Sequence, residues 1–248
     1  MVKAIEKMIH ILSLFSMNCT SLSISEIQTE LGYPKSTIFR ILSTLEKYNY
    51  IKKNPDNHRY SLGFQFFRLG SIVQSEFDFR QVALPVMKQL VNETNETVEL
   101  NIVDGSSRIC IEKVDSPLDV RNFVRIGERK PLYAGASGKV LLAFLPPDER
   151  EKILDNLRAS DIDIDKLKEE LAEIREKGYK VTKGERVAGS FAIACPIFDY
   201  TSELVAGLTI AGPIQRLTKE HEALLIEKLK VAATKINEQL GYFNGWFS

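Results

Sequence analysis

Basic and hydroxyl side chains recur along one face of a predicted helix near residue 40. In the stretch KSTIFRILSTLEK, apolar residues lie at i, i+3, i+4 and i+7 from Ile38 to Leu45, which points one face into a core. Arginine matches the edge of guanine, whereas Ser, Thr and Lys reach phosphates or mixed base edges, so the opposite face is suited to DNA. The residues predicted to contact DNA from this helix are Lys35, Ser36, Thr37 and Arg40.

A second short helix precedes this one across a tight turn. Ser23 or Ser25 can cap its first turn, and Glu26 places negative charge near the positive helix end. Gly32 ends it at a left-handed position, and Pro34 opens the next helix, where a missing N–H group does no harm. The pattern predicts a DNA-binding helix-turn-helix. An ordinary pair of amphipathic helices with a solvated outer face is the alternative.

Two short extended segments follow directly, around the turn-forming residues 54–57. Their sequence, YIKKNPDNHRYSL, predicts a β-hairpin, or wing, beside the helices. Cationic side chains on such a wing can bind the phosphate backbone next to the groove. The residues predicted for this role are Lys52, Lys53, His58 and Arg59.

The chain resembles the IclR family of bacterial transcription regulators over nearly its whole length. The family's winged helix-turn-helix signature is matched by LGYPKSTIFRILSTLEKYNYI and its Y.LG motif by Tyr60–Gly63, while Asn49 stands where glycine is typical. The resemblance implies an α+β fold, in which an N-terminal winged helix-turn-helix is joined by a helix to a GAF-like α/β effector-binding domain. The predicted boundaries are 1–75 for the DNA-binding domain, 76–94 for the connecting helical segment and 95–248 for the effector-binding domain.

The charge distribution agrees with this division. The first 75 residues carry nine Lys and Arg against five Asp and Glu, which leaves 24 basic and 28 acidic residues for the rest of the neutral 248-residue chain. A basic first part joined to an acidic second part fits a nucleic-acid-binding domain followed by a domain of another role.

Apolar residues near the N-terminus and in the connector indicate further packing. Residues 2–17 predict a helix whose apolar stripe packs under the helix-turn-helix, namely Val2, Ile5, Met8, Ile9, Leu12 and Phe15. The stretch GFQFFRLGSIVQSEFDFR, which runs into the connecting segment, is rich in phenylalanine, including Phe67 and Phe77, and its apolar surface needs a partner. Together with the family pattern this predicts a homodimer, with a homotetramer as a further level of assembly. Packing of the phenylalanines within one chain is the alternative.

The second domain is expected to contain helices and a sheet. QVALPVMKQLVNET predicts a helix with Pro85 in its first turn, where proline is tolerated. Asp104 and Gly105 predict a hairpin turn, and RNFVRIG predicts a third strand. The stretch PLYAGASGKV predicts a helix whose first N–H groups could bind an anion. It is not a phosphate-binding P-loop, since Lys139 is followed by Val140 and the earlier glycine is absent.

The resemblance places an effector site around this helix. By the family's pattern its ligand contacts fall at Ala136, Ser137, Thr182, Ala192, Thr209 and Ala211, with Glu185 nearby and Tyr133 where histidine is common. Hydroxyl groups can donate to a carboxylate without adding charge, so a small carboxylic acid is the predicted effector, preferably a sugar acid or keto acid that controls a catabolic operon. Tight sheet packing by small residues is the alternative role of these positions.

The three cysteines, Cys19, Cys110 and Cys195, have neither paired nor metal-ligand spacing. A redox-sensing regulator that uses them is one alternative function. A GAF-like enzyme with Cys195 as nucleophile is another, disfavoured because only His10, His58 and His221 could serve as its base. The sequence predicts no cofactor, metal or catalytic residue. It predicts a cytoplasmic protein without a membrane span, whose partners are double-stranded operator DNA, a small carboxylic acid and a second copy of itself.

Overall fold

A computed structural model describes residues 2–16, 19–75, 78–158 and 160–243 of the chain. Contacts divide it into two compact units, Met1–Phe77 and Asp78–Ser248. Phe77 and the predicted start of the connector at residue 76 lie outside the described residues, as does residue 17 at the end of the predicted first helix.

The first unit is a winged helix-turn-helix. Its elements are α1 (Lys3–Ser13), β1 (Ser21–Leu22), α2 (Ile24–Leu31), α3 (Lys35–Lys47), β2 (Ile51–Lys53), β3 (Tyr60–Leu62) and α4 (Phe64–Ser75). β3 lies between β1 and β2 and pairs with both in antiparallel fashion. Ser23 and Glu26 form a reciprocal capping box on α2, and Gly32 ends it at φ +69°, so both predicted helix signals are confirmed.

The first helix packs with half of its predicted stripe. Met8, Leu12 and Phe15 contact the core, whereas Val2, Ile5 and Ile9 are more than half exposed. Ile11, which lies off the predicted stripe, is fully buried, so the face that contacts the core is rotated towards it. Its remaining apolar face is left uncovered in a single chain.

The wing passes into α4 through one glycine. A Cβ atom at Gly63 would lie 2.1 Å from the Asn49 carbonyl oxygen, so only glycine fits. Asn49 has φ +59°, the left-handed conformation expected of it in place of a glycine. The Gly63 N–H group donates to the Tyr50 carbonyl at 2.7 Å, and Phe66 packs edge-on against Tyr50.

The second unit is a mixed α/β domain, and together the two units confirm the predicted α+β fold. Its helices are α5 (Asp78–Thr94), α6 (Gly135–Phe144), α7 (Pro147–Leu157), α8 (Ile164–Lys177) and α9 (Lys219–Gln239). Its strands are β4 (Thr97–Asp104), β5 (Ser107–Val114), β6 (Arg129–Pro131), β7 (Lys180–Lys183), β8 (Ser190–Phe198) and β9 (Leu204–Pro213). In the described part of the chain these strands form one antiparallel sheet in the order β6-β5-β4-β9-β8-β7.

The sheet has two different faces. Residues such as Leu100, Ile193 and Leu208 point to one face and form the main core with α5 and α9. The other face is covered at one end by α6, whose Leu141 lies directly over Gly207 of β9. Towards its other end this second face is lined by polar side chains.

Two local predictions are wrong. RNFVRIG, predicted as a third strand, is an irregular segment. Its only backbone hydrogen bond to β5 among the described residues comes at its end, where the Gly127 N–H group donates to the Cys110 carbonyl. Gly127 has φ +82°, which turns the chain there. Pro85 lies well inside α5 and not in its first turn. The helix tolerates it because Ala83, Val86 and Met87 on the same stretch are buried in the main core.

Candidate ligand pocket and nucleic-acid interface

Alternate residues of neighbouring strands bring a buried polar row to the second face of the sheet. The strand register places Glu99 of β4 opposite Thr209 of β9, and Thr209 opposite Ala194 of β8. A bulge at Leu100/Asn101 sets the pairing of β4 with β5, so that Arg108 joins the same face. Glu99, Arg108 and Thr209 are each at most 2% exposed.

These side chains line a small closed cavity between the sheet, the start of α6 and the 184–189 loop. Its volume is about 20 Å³, room for about one water molecule. Seven of the eight predicted effector residues line it, namely Ala136, Ser137, Thr182, Glu185, Ala192, Thr209 and Ala211. The eighth, Tyr133, lines instead an open cleft on the other side of Glu185.

Sequence reasoning missed eight residues that also line the cavity, and four of these carry charged or amide side chains, namely Glu99, Arg108, Asn122 and Arg186. The sequence did contain a signal for Glu99. In TVELNIVD the polar residues Thr97, Glu99 and Asn101 alternate with apolar ones, and all three are buried. Alternation of this kind normally marks a solvated face, whereas here it marks a face enclosed by α6 and loops.

Arg108 is the most unusual group of the cavity. Its Nη1 atom donates to the Asn101 side-chain oxygen and lies 3.9 Å from the Glu99 carboxylate, which also accepts from Asn122 at 2.9 Å. Burial lowers the pKa of Arg108, and the positive charge of Arg186 lowers it further, while Glu99 opposes both effects. Arginine stays protonated in proteins, so Arg108 is charged at neutral pH.

Three buried polar atoms of this row lack hydrogen-bond partners within the described ranges. They are Nε of Arg108, Nδ2 of Asn101 and Oγ1 of Thr209. Two of these atoms can only donate hydrogen bonds, so an acceptor group placed beside them would satisfy them. Leaving such groups unpaired costs about 1–3 kcal/mol each.

The N-terminus of α6 already faces a carboxylate. The Gly135 N–H group donates to Glu185 at 3.1 Å, and the same carboxylate lies 2.7 Å from the Lys139 ammonium group. Lys139 also binds Glu170 at 2.8 Å. Burial alone would lower the pKa of Lys139, but the two carboxylates outweigh it and raise the pKa. Glu185 therefore holds the 184–189 loop against the helix.

The predicted DNA-binding residues lie on the outer surface of the first unit. Lys35, Ser36, Arg40, Lys52, Lys53 and His58 are exposed, while Thr37 and Arg59 are half-buried. The Arg59 guanidinium is held by the Ser21 carbonyl at 2.8 Å and by Glu26 at 2.9 Å. It therefore ties β3 to β1 and α2, a structural role that the sequence did not indicate.

Two of the cysteines are poorly placed for redox chemistry. Burial raises the pKa of Cys110 to about 12, and it raises the pKa of Cys195, which lies in the main core, even further. The reactive form of cysteine is the thiolate, so both thiols are expected to be inert.

Comparison with known proteins agrees with this architecture. Residues 72–238 match the family model "Bacterial transcriptional regulator IclR C-terminal", and residues 4–55 match "IclR helix-turn-helix domain". The chain belongs to the IclR family. It is thus a DNA-binding, ligand-responsive transcription regulator of the IclR type, as the sequence motifs predicted.

Several IclR-family relatives resemble the chain over most of its length. The HTH-type transcriptional regulator KipR of Bacillus subtilis is 35% identical and matches 97% of this chain and 98% of its own. The regulator KdgR of Escherichia coli is 34% identical over 89% of this chain and 86% of its own. A solved structure of an IclR homolog complexed with 4-hydroxybenzoate, from Microbacterium hydrocarbonoxydans, has a TM-score of 0.80 and 25% identity, with 96% of this chain and 98% of that one covered.

The relatives KipR and KdgR are named as transcription regulators, so the comparisons offer no support for the enzyme alternative. Within the described residues, no helix is long and apolar enough to cross a membrane.

Proposed function

We propose that this IclR-family regulator senses a small carboxylic acid in the cavity between the sheet, the start of α6 and the 184–189 loop. The observation that carries the proposal is the convergence on one cavity of seven residues far apart in sequence, from Ala136 to Ala211. The IclR homolog from Microbacterium is complexed with an acid, 4-hydroxybenzoate. The hydroxyl groups of Ser137, Thr182 and Thr209 suit a sugar acid or keto acid, and the operon that the regulator controls is then a catabolic one.

Binding requires the cavity to open, since it holds no more than about one water molecule. Opening moves residues 186–189 of the loop, while Glu185 keeps its contacts with Lys139 and the Gly135 N–H group. Ligand binding then favours the conformation with the displaced loop, and the regulator responds by a population shift between conformations with different DNA affinity.

A thermal-shift screen tests the sensor role. The purified chain is heated with pyruvate, gluconate and 4-hydroxybenzoate, each at a series of concentrations. A ligand at 100 times its dissociation constant should stabilise the fold by about 2.7 kcal/mol. The cavity assignment predicts that Thr209→Val abolishes the shift, whereas Val231→Ala on the exposed side of α9 keeps it. A shift that persists in Thr209→Val would place the ligand elsewhere.

For DNA, we propose that α3 reads base edges in the major groove of operator DNA and that the wing binds phosphates. The exposed positions of Arg40 and Lys52 support this division. Arg40→Ala should cost about 1–3 kcal/mol on the cognate site and relax base preference, whereas Lys52→Ala should weaken all DNA about equally. Binding is measured by fluorescence anisotropy on operator and random duplexes. Equal loss on both duplexes for Arg40→Ala would refute base reading.

The assembly that we propose is a homodimer, from which a homotetramer can form. It is supported by the apolar side chains that α1 and α4 leave exposed, among them Val2, Ile5, Phe64, Phe67 and Ile72. Analytical ultracentrifugation should give a dimer for the natural chain and a monomer for Phe64→Glu/Phe67→Glu. A monomeric natural chain would show that these residues serve another purpose.

A further inference from the structure

The buried polar row and the start of α6 offer two different places for the charged end of an acidic effector. Helix N-termini attract anions, so the sequence favours the α6 end. The contacts of Arg108 and Glu185 favour the opposite end of the cavity, over the sheet.

We infer that Arg108 anchors the carboxylate of the effector over the sheet, and that the α6 end of the cavity binds the uncharged part of the ligand. The inference rests on the proposed function and deepens it, since it assigns the specificity of the site to one residue. It also fixes the class of ligand as a monocarboxylate whose other polar groups are hydroxyl or carbonyl groups.

The α6 end is unsuited to a second carboxylate because Glu185 already lies there. Its carboxylate accepts from the Gly135 N–H group at 3.1 Å and pairs with Lys139 at 2.7 Å. An effector carboxylate placed beside it would meet a like charge, which is unfavourable. Neutral hydroxyl groups suffer no such repulsion and can exchange hydrogen bonds with Ser137.

The sheet end of the cavity, in contrast, offers a buried positive charge with an unpaired hydrogen-bond donor. Arg108 is 2% exposed and lines the cavity, and its Nε atom is without a hydrogen-bond partner in the described parts of the chain. In a guanidinium group Nε lies on a different edge from Nη1, the atom that meets Asn101 and Glu99. A carboxylate can therefore approach the Nε edge while those two contacts remain in place, in the side-on geometry that arginine prefers for carboxylates.

Two neighbouring groups complete this end of the cavity. Thr209, 2% exposed, has a hydroxyl group that finds no partner among the described residues, and it stands opposite Glu99 in the strand register. It can donate to the second carboxylate oxygen. Arg186 also lines the cavity and brings a second positive charge near Arg108. Glu99 is the buried carboxylate beside Arg108, and the Glu128 carboxylate also acts on both guanidinium groups.

The test compares each acid with its neutral ester. Isothermal titration calorimetry is performed with pyruvate and methyl pyruvate, and with 4-hydroxybenzoate and its methyl ester. The natural chain should bind at least one acid on the order of a hundredfold more tightly than its ester, since a charge-assisted contact to a buried arginine is lost in the ester. Arg108→Gln should weaken the acid by about the same factor and leave the ester nearly unaffected.

Control variants separate this result from general damage to the cavity. Ser137→Ala, at the α6 end, should weaken acid and ester by the same factor. Because Arg108→Gln leaves Glu99 without its charged partner, Glu99→Gln/Arg108→Gln removes both charges and should show the same loss of acid preference with a preserved fold. Arg129→Gln, at an exposed position of β6, should behave like the natural chain.

The outcomes are distinguishable. If Arg108→Gln and the double variant keep the preference for acid over ester, the carboxylate lies elsewhere and the inference is overturned, although the proposed function stands. If Ser137→Ala abolishes the preference for the acid, the carboxylate lies at α6. If no acid binds the natural chain, the proposed function fails and the inference with it.

Discussion

The two faces of the six-stranded sheet are built from alternate residues of the same strands, yet one buries apolar side chains and the other buries polar ones. On one face Leu100, Ile193 and Leu208 are fully buried among apolar neighbours of α5 and α9. On the other, Glu99, Arg108 and Thr209 are almost equally buried, and Nε of Arg108 and the hydroxyl group of Thr209 lack hydrogen-bond partners among the described residues. The first face contributes stability, and the second retains polar groups at a cost in stability. Such a cost is expected where the groups serve binding.

The largest effect should come from the apolar face. Leu208→Ala leaves a cavity in the main core and should lower the free energy of unfolding by about 2–5 kcal/mol. Urea denaturation measures the loss, and Val231→Ala, at an exposed position of α9, is the matched control with a change below about 0.5 kcal/mol. A loss for Leu208→Ala as small as that of the control would mean that the two faces do not differ in this way.

Two threonines on the polar face should respond in opposite directions to the same substitution. Thr97 is fully buried, and its hydroxyl group donates to Asn122 at 3.3 Å and accepts from Ser116 at 3.2 Å. Thr97→Val should therefore destabilise the fold by about 1–2 kcal/mol. Thr209→Val removes a hydroxyl group that lacks a partner in the described structure and should raise stability by up to about 1 kcal/mol.

Urea denaturation of both valine variants without ligand measures this contrast. Equal destabilisation by the two variants would show that the Thr209 hydroxyl group is satisfied in solution, by water or by another group. The distinction between satisfied and unsatisfied positions of the polar face would then disappear.

The smallest effect concerns the ion pairs beside the cavity. Burial would raise the pKa of Glu170, but hydrogen bonds from Lys139 and Lys180 outweigh it and lower the pKa below its usual value of 4.5. A carboxylate with a lowered pKa stabilises the fold above its unfolded pKa, and this contribution is lost as pH falls through the folded pKa. Lys139→Met should thus cost about 1 kcal/mol at pH 7, with a smaller difference from the natural chain below pH 4.5.

Denaturation at pH 7, 5 and 3.5 follows this dependence. Lys166→Met, an exposed neighbour on α8, is the control and should show little difference from the natural chain at any of these pH values. A loss for Lys139→Met that is the same at all three would show that Lys139 acts through packing of its aliphatic chain and not through its charge.

Local signals in the sequence predicted much of the fold. The cap at Ser23 and the left-handed helix end at Gly32 depend only on neighbouring residues, and both are confirmed. The hairpin turn at Gly105, with φ +60°, is of the same kind. Periodicity was less reliable where the partner was unknown, which is why Val2, Ile5 and Ile9 of the predicted α1 stripe are exposed while the rest of the stripe contacts the core.

The polar row of the cavity could not be predicted in the same way. Its assembly depends on which strands pair and in which register, and the bulge at Leu100/Asn101 decides that Arg108 joins Glu99 on one face. No local rule gives that register. Family resemblance led to the hydroxyl-bearing residues such as Ser137 and Thr209, whereas Arg108 became visible only through its burial and its contacts.

The close approach of Gly63 to the Asn49 carbonyl has a mechanical consequence for the DNA-binding unit. One residue separates the end of β3 from the start of α4, and it is fastened to the chain that leaves α3. No flexible linker separates β3 from α4. A rotation of α4 should therefore move the wing and the C-terminal end of α3 together as one rigid unit. A larger residue at this position would clash with the Asn49 carbonyl and weaken the coupling between α4 and the wing, while the predicted DNA-binding residues would keep their own contacts.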